Sequence, residues 1–356
     1  MAEPYNILIL GASYGALLAI KAAMAGHTVT LVGRAEEVAA INRDGLHVRI
    51  PSRRSGAGFD LRSGNLPGTI VARRTSDVEG TGFDLVALAM QEPQFAEDGV
   101  RRLTQKVAVA GTPCLSIMNM PPPPYLDRIA GLSGVDVDTC YSAPDVWRGF
   151  DPAKFTLCSP DAQASRPPDA PQNFLRVGLG TNFRTAAFED ADADVMLRTL
   201  ARSINEARVP RDGRQSTVPV RLKVSDSAFV PLTKWSMLLA GNYRCITADG
   251  PRSICDAVHS DGDETRAVYD WVNALILRLG AVDGDLVPFE QYAKAAKGLI
   301  LPSSAARALY AGAKNIERVD RLVQLIARQR GVETGLIDDV VSRVDALLRK
   351  NRGVAA

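Results

Sequence analysis

The stretch NILILGASYGALLAIKAAMAGHTVTLVGR, residues 6–34, decides the fold of the first half of this 356-residue chain. Residues 6–10 are mostly apolar and predict a buried strand. Ala16 to Ala25 is rich in alanine and leucine and predicts a helix that ends at Gly26. Residues 28–32 predict a second strand. Because a glycine-rich turn joins the first strand to the helix, the stretch predicts a βαβ unit.

The turn between the first strand and the helix is similar to a dinucleotide-binding loop. Gly11 would make the sharp turn, Gly15 would let a diphosphate approach the backbone, and Ser13 stands where a second glycine is expected. Phosphate oxygens there would meet free N–H groups at the positive end of the helix. Gly11, Ala12, Ser13, Tyr14 and Gly15 are therefore the predicted cofactor-binding loop, and the alternative is a purely structural βα turn.

The end of the second strand indicates which dinucleotide is bound. NAD-binding sites usually place Asp or Glu there to accept hydrogen bonds from the ribose, whereas this chain has Arg34. A carboxylate would repel a 2′-phosphate, and a guanidinium can pair with it through two hydrogen bonds. The sequence therefore predicts NADP(H). If Arg34 is an ordinary exposed arginine, Glu36 and Glu37 remain as ribose acceptors.

The rest of the chain separates into two parts of different character. Further apolar strands are predicted at Phe83 to Met90 and Cys114 to Met118, which implies a parallel sheet covered on both faces. Short strands are then predicted at Val135 to Tyr141 and Leu175 to Leu179. The later helices are predicted at Ala191–Ala207, Lys234–Thr247, Glu264–Leu279, Ser304–Ala313, Glu317–Arg330 and Leu336–Arg349.

This pattern predicts an α/β protein of two domains. Residues 1–188 form a Rossmann-like parallel-sheet domain that binds NADP, and residues 189–356 form an all-helical domain for substrate binding and dimerisation.

Composition excludes several classes of protein. The 42 basic and 40 acidic residues give a formal charge of +2, so neither a nucleic-acid partner nor a membrane surface is expected. The apolar runs are shorter than the roughly 18 residues that a membrane span needs, and the start of the chain lacks a signal-peptide pattern, so a cytoplasmic protein is expected. Five cysteines without CxxC spacing and three histidines indicate neither a disulfide framework nor a metal site.

Residues 11–50, GASYGALLAIKAAMAGHTVTLVGRAEEVAAINRDGLHVRI, resemble the ketopantoate reductase (2-dehydropantoate 2-reductase) family. The shared features are the glycine turn, Gly26-His27 before a strand, Arg34 after it, and an AAI…GL stretch, in that order. The resemblance implies NADPH-dependent reduction of ketopantoate to pantoate. It also implies a helical domain of the 6-phosphogluconate dehydrogenase type, an active site in the cleft between the domains, and a homodimer.

The resemblance also implies roles for residues later in the chain. Gln94 matches a family glutamine and Gln91 replaces a lysine, and both are candidates for the cofactor site. Asn119 ends a strand where the family has QNG, which would place it near nicotinamide and substrate. Ser304 matches a serine whose hydroxyl contacts substrate, although Pro302-Ser303-Ser304 is also a natural helix N-terminus.

The helical half departs from the family pattern at the proton donor. The family has W-x-K-L, whose lysine protonates the nascent alkoxide, and alignment on Trp235 puts Met237 at the lysine position. Lys234 lies three residues earlier on nearly the same helical face and is the candidate donor; otherwise it is a solvated helix lysine.

The remaining substrate contacts are also shifted. The family asparagines fall at Gly241 and Cys245, so the neighbouring Asn242 and Arg244 become candidates. The family glutamate aligns with Asn315 when counted back from Gly331 and with Ile316 when counted forward from Ser304. The neighbouring Glu317 is the candidate acid.

Together these residues predict an NADPH-dependent reductase of a small 2-oxo acid, with Lys234 as proton donor, Asn119 as positioning group and Arg244 as a possible carboxylate clamp. Two alternatives stay open. An opine-type dehydrogenase is favoured by the GxGxGA/G form of the turn but lacks an NxxxHP-like stretch. A non-catalytic NADP(H)-binding sensor is favoured by Met237.

Overall fold

The computed structural model describes residues 3–13, 15–51, 58–159, 164–178, 180–211 and 213–353, and every structural statement below refers to these residues. They divide into two compact units. The first unit comprises residues 1–90, 94–125 and 145–226, and the second comprises residues 91–93, 126–144 and 227–356.

The strands belong to the first unit. They are β1 (Asn6–Leu10), β2 (Thr28–Val32), β3 (His47–Ile50), β4 (Phe59–Arg62), β5 (Thr69–Arg73), β6 (Leu85–Leu88), β7 (Cys114–Ile117), β8 (Phe155–Ser159), β9 (Ala164–Ser165), β10 (Phe174–Val177), β11 (Phe183–Ala186), β12 (Arg208–Arg211), β13 (Arg214–Thr217) and β14 (Leu222–Ser225).

The helices are spread over both units. They are α1 (Ala16–Met24), α2 (Ala35–Asp44), α3 (Asp98–Ala110), α4 (Pro123–Leu126), α5 (Ala191–Glu206), α6 (Lys234–Met237), α7 (Ile254–His259), α8 (Gly262–Arg278), α9 (Phe289–Ala296), α10 (Ser304–Tyr310), α11 (Val319–Gln329) and α12 (Gly335–Arg352). The described helices are all too short or too polar to cross a membrane.

An eight-stranded sheet forms the centre of the first unit, in the order β14-β11-β8-β7-β6-β1-β2-β5. Strands β5, β2, β1, β6, β7 and β8 run parallel, and β11 pairs antiparallel with β8. The central strands are buried along nearly their whole length, because helices or loops cover both faces. The predicted α/β fold class is confirmed.

A four-stranded sheet, β4-β3-β10-β9, and the hairpin β12-β13 complete the first unit. Strand β10 pairs parallel with β3 and antiparallel with β9. Arg166 is the first residue after β9 and lies at one end of this smaller sheet. Strand β10 overlaps the predicted strand from Leu175, whose predicted end at Leu179 lies outside the described residues.

The first unit extends beyond the break predicted at residues 188/189. Helix α5 begins where the Asp190 side chain accepts a hydrogen bond from Ala193 N (2.9 Å), and its Leu197 and Leu200 share one buried cluster with Leu17 of α1. Strand β14 then pairs with β11 at the edge of the large sheet. Because α5 and β14 bury their apolar faces here, the contact boundary lies at residues 226/227.

The strand predicted at Val135 to Tyr141 is wrong. Residues Asp138–Cys140 form a 3-10 turn, in which Cys140 N donates to Val137 O (2.9 Å). The backbone N–H of Asp136 donates instead to the Gln329 side chain of α11 (3.0 Å). Val137, Cys140 and Tyr141 are buried, but the segment pairs with no strand among the described residues, because its backbone turns at Asp138–Cys140.

The second unit is helical. Helix α8 packs against α6 and α7, and α11 packs against α12. A continuous helical run occupies residues 234–245: α6, then a π-helix at Leu238–Asn242, then a 3-10 turn at Tyr243–Cys245. The sequence predicted one long helix around Lys234–Thr247. The helical run lies at that position, but its middle turn is a π-helix and its last turn is 3-10.

Candidate functional site

The glycine-rich turn lies where β1, β2 and β6 end at the same edge of the sheet. Gly11 N donates to Val32 O (2.9 Å) and ties the turn to the end of β2. Gly11 has φ of 112°, and a Cβ there would lie 2.2 Å from Ala89 O. Only glycine fits this position, because the neighbouring strand leaves no space and an L side chain would be strained.

The second glycine of the turn is equally confined. Gly15 N donates to Gly11 O (2.9 Å), and a Cβ on Gly15 would lie 2.3 Å from the Ile9 side chain. Helix α1 starts immediately afterwards, so its first N–H groups lie beside a turn in which Gly11 and Gly15 carry no side chain. This is the local geometry that an anion needs at a helix N-terminus.

A third glycine extends this surface to the end of β2. A Cβ on Gly33 would lie 2.7 Å from the Ala12 Cβ and 3.2 Å from Glu37 Oε2. Ala12 is buried and Ser13 is half-buried. Of the predicted loop, Tyr14 lies outside the described residues.

Arg34 follows this surface and begins helix α2. Its backbone N–H donates to Glu37 Oε2 (3.0 Å), which caps the helix, and its guanidinium lies 3.4 Å from Glu37 Oε1. The Arg34 side chain is 80% exposed, whereas that of Glu37 is 6% exposed. The guanidinium predicted to select NADP(H) therefore faces solvent at the end of β2.

A second guanidinium reaches the same carboxylate. Arg166 Nη2 donates to Glu37 Oε1 (2.9 Å), and Arg166 Nη1 donates to Gln172 Oε1 (2.7 Å). Burial favours the neutral acid, but the hydrogen bonds from Arg34 and Arg166 outweigh it, so the pKa of Glu37 lies below its ordinary value. Glu37 is a carboxylate at neutral pH, held between two arginines.

The other predicted cofactor residues, Asn119, Gln94 and Gln91, differ in burial and in the unit to which they belong. Asn119 lies two residues beyond β7 and is half-buried, at the same sheet edge as the glycine turn. Gln94 is exposed in the first unit, and Gln91 is exposed and falls in the second unit.

In the second unit, the helical run places Lys234 at its first turn. Lys234 is half-buried, and its neighbours Trp235 and Ser236 are buried. The Ser236 hydroxyl donates to Asn273 Oδ1 of α8 (2.5 Å). This bond ties the first turn to α8. Lys234 and Met237 are both half-buried, and positions three residues apart are neighbours on a helix surface.

The wide turn of the run has a tertiary cause. The Tyr292 hydroxyl of α9 donates to Met237 O (3.1 Å), the carbonyl that would accept from Gly241 N in a regular α-helix. A Cβ on Gly241 would lie 1.9 Å from that hydroxyl. Tyr292 and Gly241 therefore open the helix by one residue, and the turn above Met237 closes on Asn242.

This geometry changes which candidate follows Met237. In a regular helix Gly241 would lie one turn above Met237, and Gly241 has no side chain to offer a ligand. The π-turn puts the half-buried Asn242 there instead. Regular helical spacing would rotate Asn242 away from this face, whereas the π-turn brings it there; its role in substrate binding stays a prediction.

The predicted Ser304 follows Ser303, and it is Ser303 that contacts Asn242. Ser303 donates its hydroxyl to Asn242 O (2.7 Å) and accepts from Ala306 N (3.1 Å) as the N-cap of α10. Ser304 is the next residue and is exposed. The two serines therefore have different tasks: Ser303 is the cap, and the Ser304 hydroxyl lies outside that bond pair.

The two candidates for the acid also differ. The buried Tyr243 hydroxyl donates to Glu317 O (2.6 Å) and accepts from Val319 N (3.0 Å), which ties Glu317 to the helical run. Glu317 is buried, whereas Asn315 is exposed and accepts from Arg352 (2.8 Å). Glu317 is therefore buried beside the helical run, Asn315 lies at the surface, and the role of either as the acid stays a prediction.

Arg244 is directed elsewhere. Its guanidinium is buried, donates to the Thr265 hydroxyl (2.5 Å) and forms an ion pair with Glu264, both on α8. Burial lowers the pKa of Arg244, which the charge of Glu264 opposes. Since its hydrogen bonds hold α8 to the helical run, a role as substrate clamp would require these bonds to break.

Sequence reasoning missed two residues. Arg166 lies in a proline-rich loop, and no local pattern indicated that it reaches Glu37. Tyr292 was unmarked as well, although the isolated Gly241 within a helical pattern was a signal of close packing. Within the described ranges, no group of three or more His, Cys, Asp or Glu side chains is placed to hold a metal ion.

No protein-family model matches the chain, and no curated protein is significantly similar to it in sequence. Solved structures, in contrast, match along its whole length. A protein from Ralstonia solanacearum that is assigned as a ketopantoate reductase has a TM-score of 0.69 at 17% identity, covering 99% of this chain and 100% of that one.

Two other matches cover nearly all of both chains. A D-mandelate dehydrogenase with NADH and anilino(oxo)acetate has a TM-score of 0.65 at 16% identity, covering 98% of this chain and 100% of that one. A dimeric ketopantoate reductase from Staphylococcus aureus has a TM-score of 0.62 at 12% identity, covering 97% and 99%. At these identities the similarity shows that the chain has the ketopantoate reductase fold.

Proposed function

We propose that this chain is an NADPH-dependent oxidoreductase that reduces a small 2-oxo acid to the 2-hydroxy acid. The observation that carries the proposal is the turn Gly11 to Gly15, in which added Cβ atoms would collide with the neighbouring strands, followed by the exposed guanidinium of Arg34. The fold supports it, because the solved structures of the same fold include ketopantoate reductases and a 2-hydroxy acid dehydrogenase.

The first unit fits a dinucleotide. Gly11 and Gly15 would let a diphosphate approach the backbone closely, and the N–H groups of Ala12, Ser13 and the first turn of α1 would donate to it. Arg34 would pair with the 2′-phosphate. Asn119 lies at the same sheet edge, where it would position the nicotinamide end, with Gln91 and Gln94 as further candidates.

The chemistry divides between cofactor and protein. When bound, NADPH supplies a hydride to the carbonyl carbon of the substrate and leaves as NADP⁺. The oxygen then needs a proton, which the Lys234 ammonium would donate, since the Met237 thioether has none. Asn242, Ser304 and Glu317 would orient the substrate through hydrogen bonds, and Arg244 would contribute only if released from Glu264.

Nucleotide titration tests the proposal directly. We expect purified protein to bind NADPH more tightly than NADH, by fluorescence and calorimetry, and to consume NADPH with one member of a panel of branched and aromatic 2-oxo acids. Arg34→Ala should weaken NADPH binding by about tenfold or more and leave NADH binding nearly unchanged, as expected for loss of a charge-assisted contact. Absence of binding to either nucleotide would sink the proposal.

The same assay separates the alternatives. Turnover only when an amino acid accompanies the oxo acid would indicate an opine-type dehydrogenase. Binding of NADPH without turnover on any oxo acid would indicate a sensor, the reading that Met237 favours. We also propose a homodimer, because one of the similar structures is of a dimeric enzyme, and light scattering of the purified protein would test it. The cytoplasmic location stays a prediction.

A further inference from the structure

Two guanidinium groups contact the Glu37 carboxylate, and the two contacts differ in strength. Arg166 Nη2 lies 2.9 Å from Glu37 Oε1, with side chains 15% and 6% exposed. Arg34 Nη2 lies 3.4 Å from the same oxygen and is 80% exposed. Because screening by water weakens the Arg34 contact much more, Arg166 is the principal partner of the carboxylate.

The formal charges show what Arg166 contributes at the end of β2. Among these three side chains, Glu37 and Arg34 sum to zero and Arg166 adds one positive unit, which the nearby carboxylates of Glu36 and Glu97 oppose. The bond from Arg166 Nη1 to Gln172 holds the guanidinium in place, so the charge is fixed rather than mobile. Arg73, which lies beside Val32 in the sheet, adds a further exposed guanidinium to this edge.

The Glu37 carboxylate also lies where it could favour the binding of NADH over that of NADPH. Glu37 Oε2 lies 3.2 Å from the position that a Cβ on Gly33 would occupy, and Gly33 is the first residue after β2. A carboxylate at the end of the second strand is the group that accepts from ribose hydroxyls and repels a 2′-phosphate. The chain therefore contains both an NADP-type guanidinium and an NAD-type carboxylate.

We propose that Arg166 is a specificity-determining residue: by holding the Glu37 carboxylate, it keeps that acceptor from the adenosine ribose and leaves Arg34 for the 2′-phosphate. The inference rests on the proposed function, because it assumes that a pyridine dinucleotide binds at the glycine turn. It goes beyond that function in assigning the choice between NADPH and NADH to a residue 132 positions after Arg34 in the sequence.

Loss of Arg166 should change the nucleotide preference in a defined direction. Without its main partner, the shielded Glu37 carboxylate would recruit Arg34 or accept from a ribose hydroxyl. The first outcome removes the cation that binds the 2′-phosphate, and the second favours NADH. Both lower the ratio of NADPH affinity to NADH affinity.

The test is a set of binding titrations with NADPH and with NADH, measured by calorimetry without substrate. Arg166→Ala should lower the preference for NADPH by about tenfold, the scale of one charge-assisted hydrogen bond. Arg166→Ala combined with Glu37→Gln should restore most of it, because the amide carries no charge to repel the phosphate. Arg176→Ala, an exposed arginine on the adjacent strand β10, is the matched control and should leave both affinities unchanged.

Each result bears on the inference. If wild type binds neither nucleotide, the proposed function and the inference fall together. If wild type prefers NADPH and Arg166→Ala keeps that preference, the inference alone is overturned. Should Arg166→Ala fail to fold, as judged by circular dichroism, Glu37→Gln alone decides: it should keep or increase the preference for NADPH, and a fall in that preference would contradict the assignment.

Discussion

The glycine turn of the first unit and the helical run 234–245 of the second unit both depend on a glycine that a Cβ would spoil, but they differ in what enforces that requirement. At Gly15, the two nearest crowding atoms are Ile9 Cγ2 and Gly11 O, both close in sequence, whereas Gly11 itself is crowded by Ala89 and Met90, which follow β6. At Gly241, the crowding atom is the Tyr292 hydroxyl, which is 51 residues away. Local sequence therefore supplies the closest contacts at Gly15, whereas tertiary contacts supply those at Gly11 and at Gly241.

The geometry of the glycine turn could be predicted from its sequence, whereas that of the helical run 234–245 could not. A strand, a glycine-rich turn and a helix form a recurrent motif whose glycines permit a tight turn and close backbone approach, so the pattern indicates its geometry. A helical pattern with one glycine is compatible with both an α-helix and a π-turn. Only the position of α9 decides between them.

The largest effect is expected at the turn. Gly15→Val places a side chain 2.3 Å from Ile9 Cγ2, so we expect the turn to shift and nucleotide affinity to fall by about 100-fold or more. Calorimetric titration with NADPH measures it. Gly64→Ala, where a Cβ meets open space, is the control and should bind like wild type. Unchanged affinity in Gly15→Val would show that the turn is merely structural.

The next effect concerns the proton donor of the helical run. Lys234→Ala should lower kcat by about 100-fold, the contribution of a general acid, and leave the Kd of NADPH unchanged. Steady-state kinetics with the best oxo acid measures it. Lys294→Ala removes an exposed lysine of α9 and should be silent. A kcat within a few-fold of wild type in Lys234→Ala would clear Lys234 of the role.

A smaller effect tests the tertiary origin of the π-turn. Gly241→Ala should lower the free energy of unfolding by about 2 kcal/mol, because the Cβ collides with the Tyr292 hydroxyl. In a Tyr292→Phe background the same change should cost about 1 kcal/mol less, since the colliding oxygen is gone. Urea denaturation of the four proteins gives this coupling. Equal costs in both backgrounds would mean that Tyr292 does not enforce the turn.

The smallest effect separates two adjacent serines. Ser303→Ala removes the N-cap of α10 and its bond to Asn242 O, so the free energy of unfolding should fall by about 1 kcal/mol. Ser304→Ala should change stability by less than about 0.5 kcal/mol and raise KM for the oxo acid. If Ser304→Ala leaves KM unchanged, Ser304 does not contact the substrate.

Much of the first unit could be predicted. Strands β1, β2, β6 and β7 and helix α1 lie where their apolar patterns indicated, because strands buried on both faces read as continuous apolar runs. The end of the unit could not be predicted. Helix α5 resembles the later helices in pattern, and its packing on β14 and α1 assigns it to the first unit.

The candidate site was predictable in its residues more than in its contacts. Arg34 and the glycine turn were found because their chemistry is local. The burial of Arg244 against Glu264 and the reach of Arg166 to Glu37 were invisible, since both join segments far apart in the chain. Charge and residue type alone cannot tell an exposed arginine from a paired one.

By itself the sequence determined the α/β class, the strand–turn–helix that would hold a diphosphate, and the guanidinium after the second strand. Each of these follows from the conformational limits of a few consecutive residues. The tertiary structure alone decided which arginine holds Glu37, where the helical run widens, and which serine caps α10. These depend on packing between distant segments, whose free energy is realised only when the chain is folded.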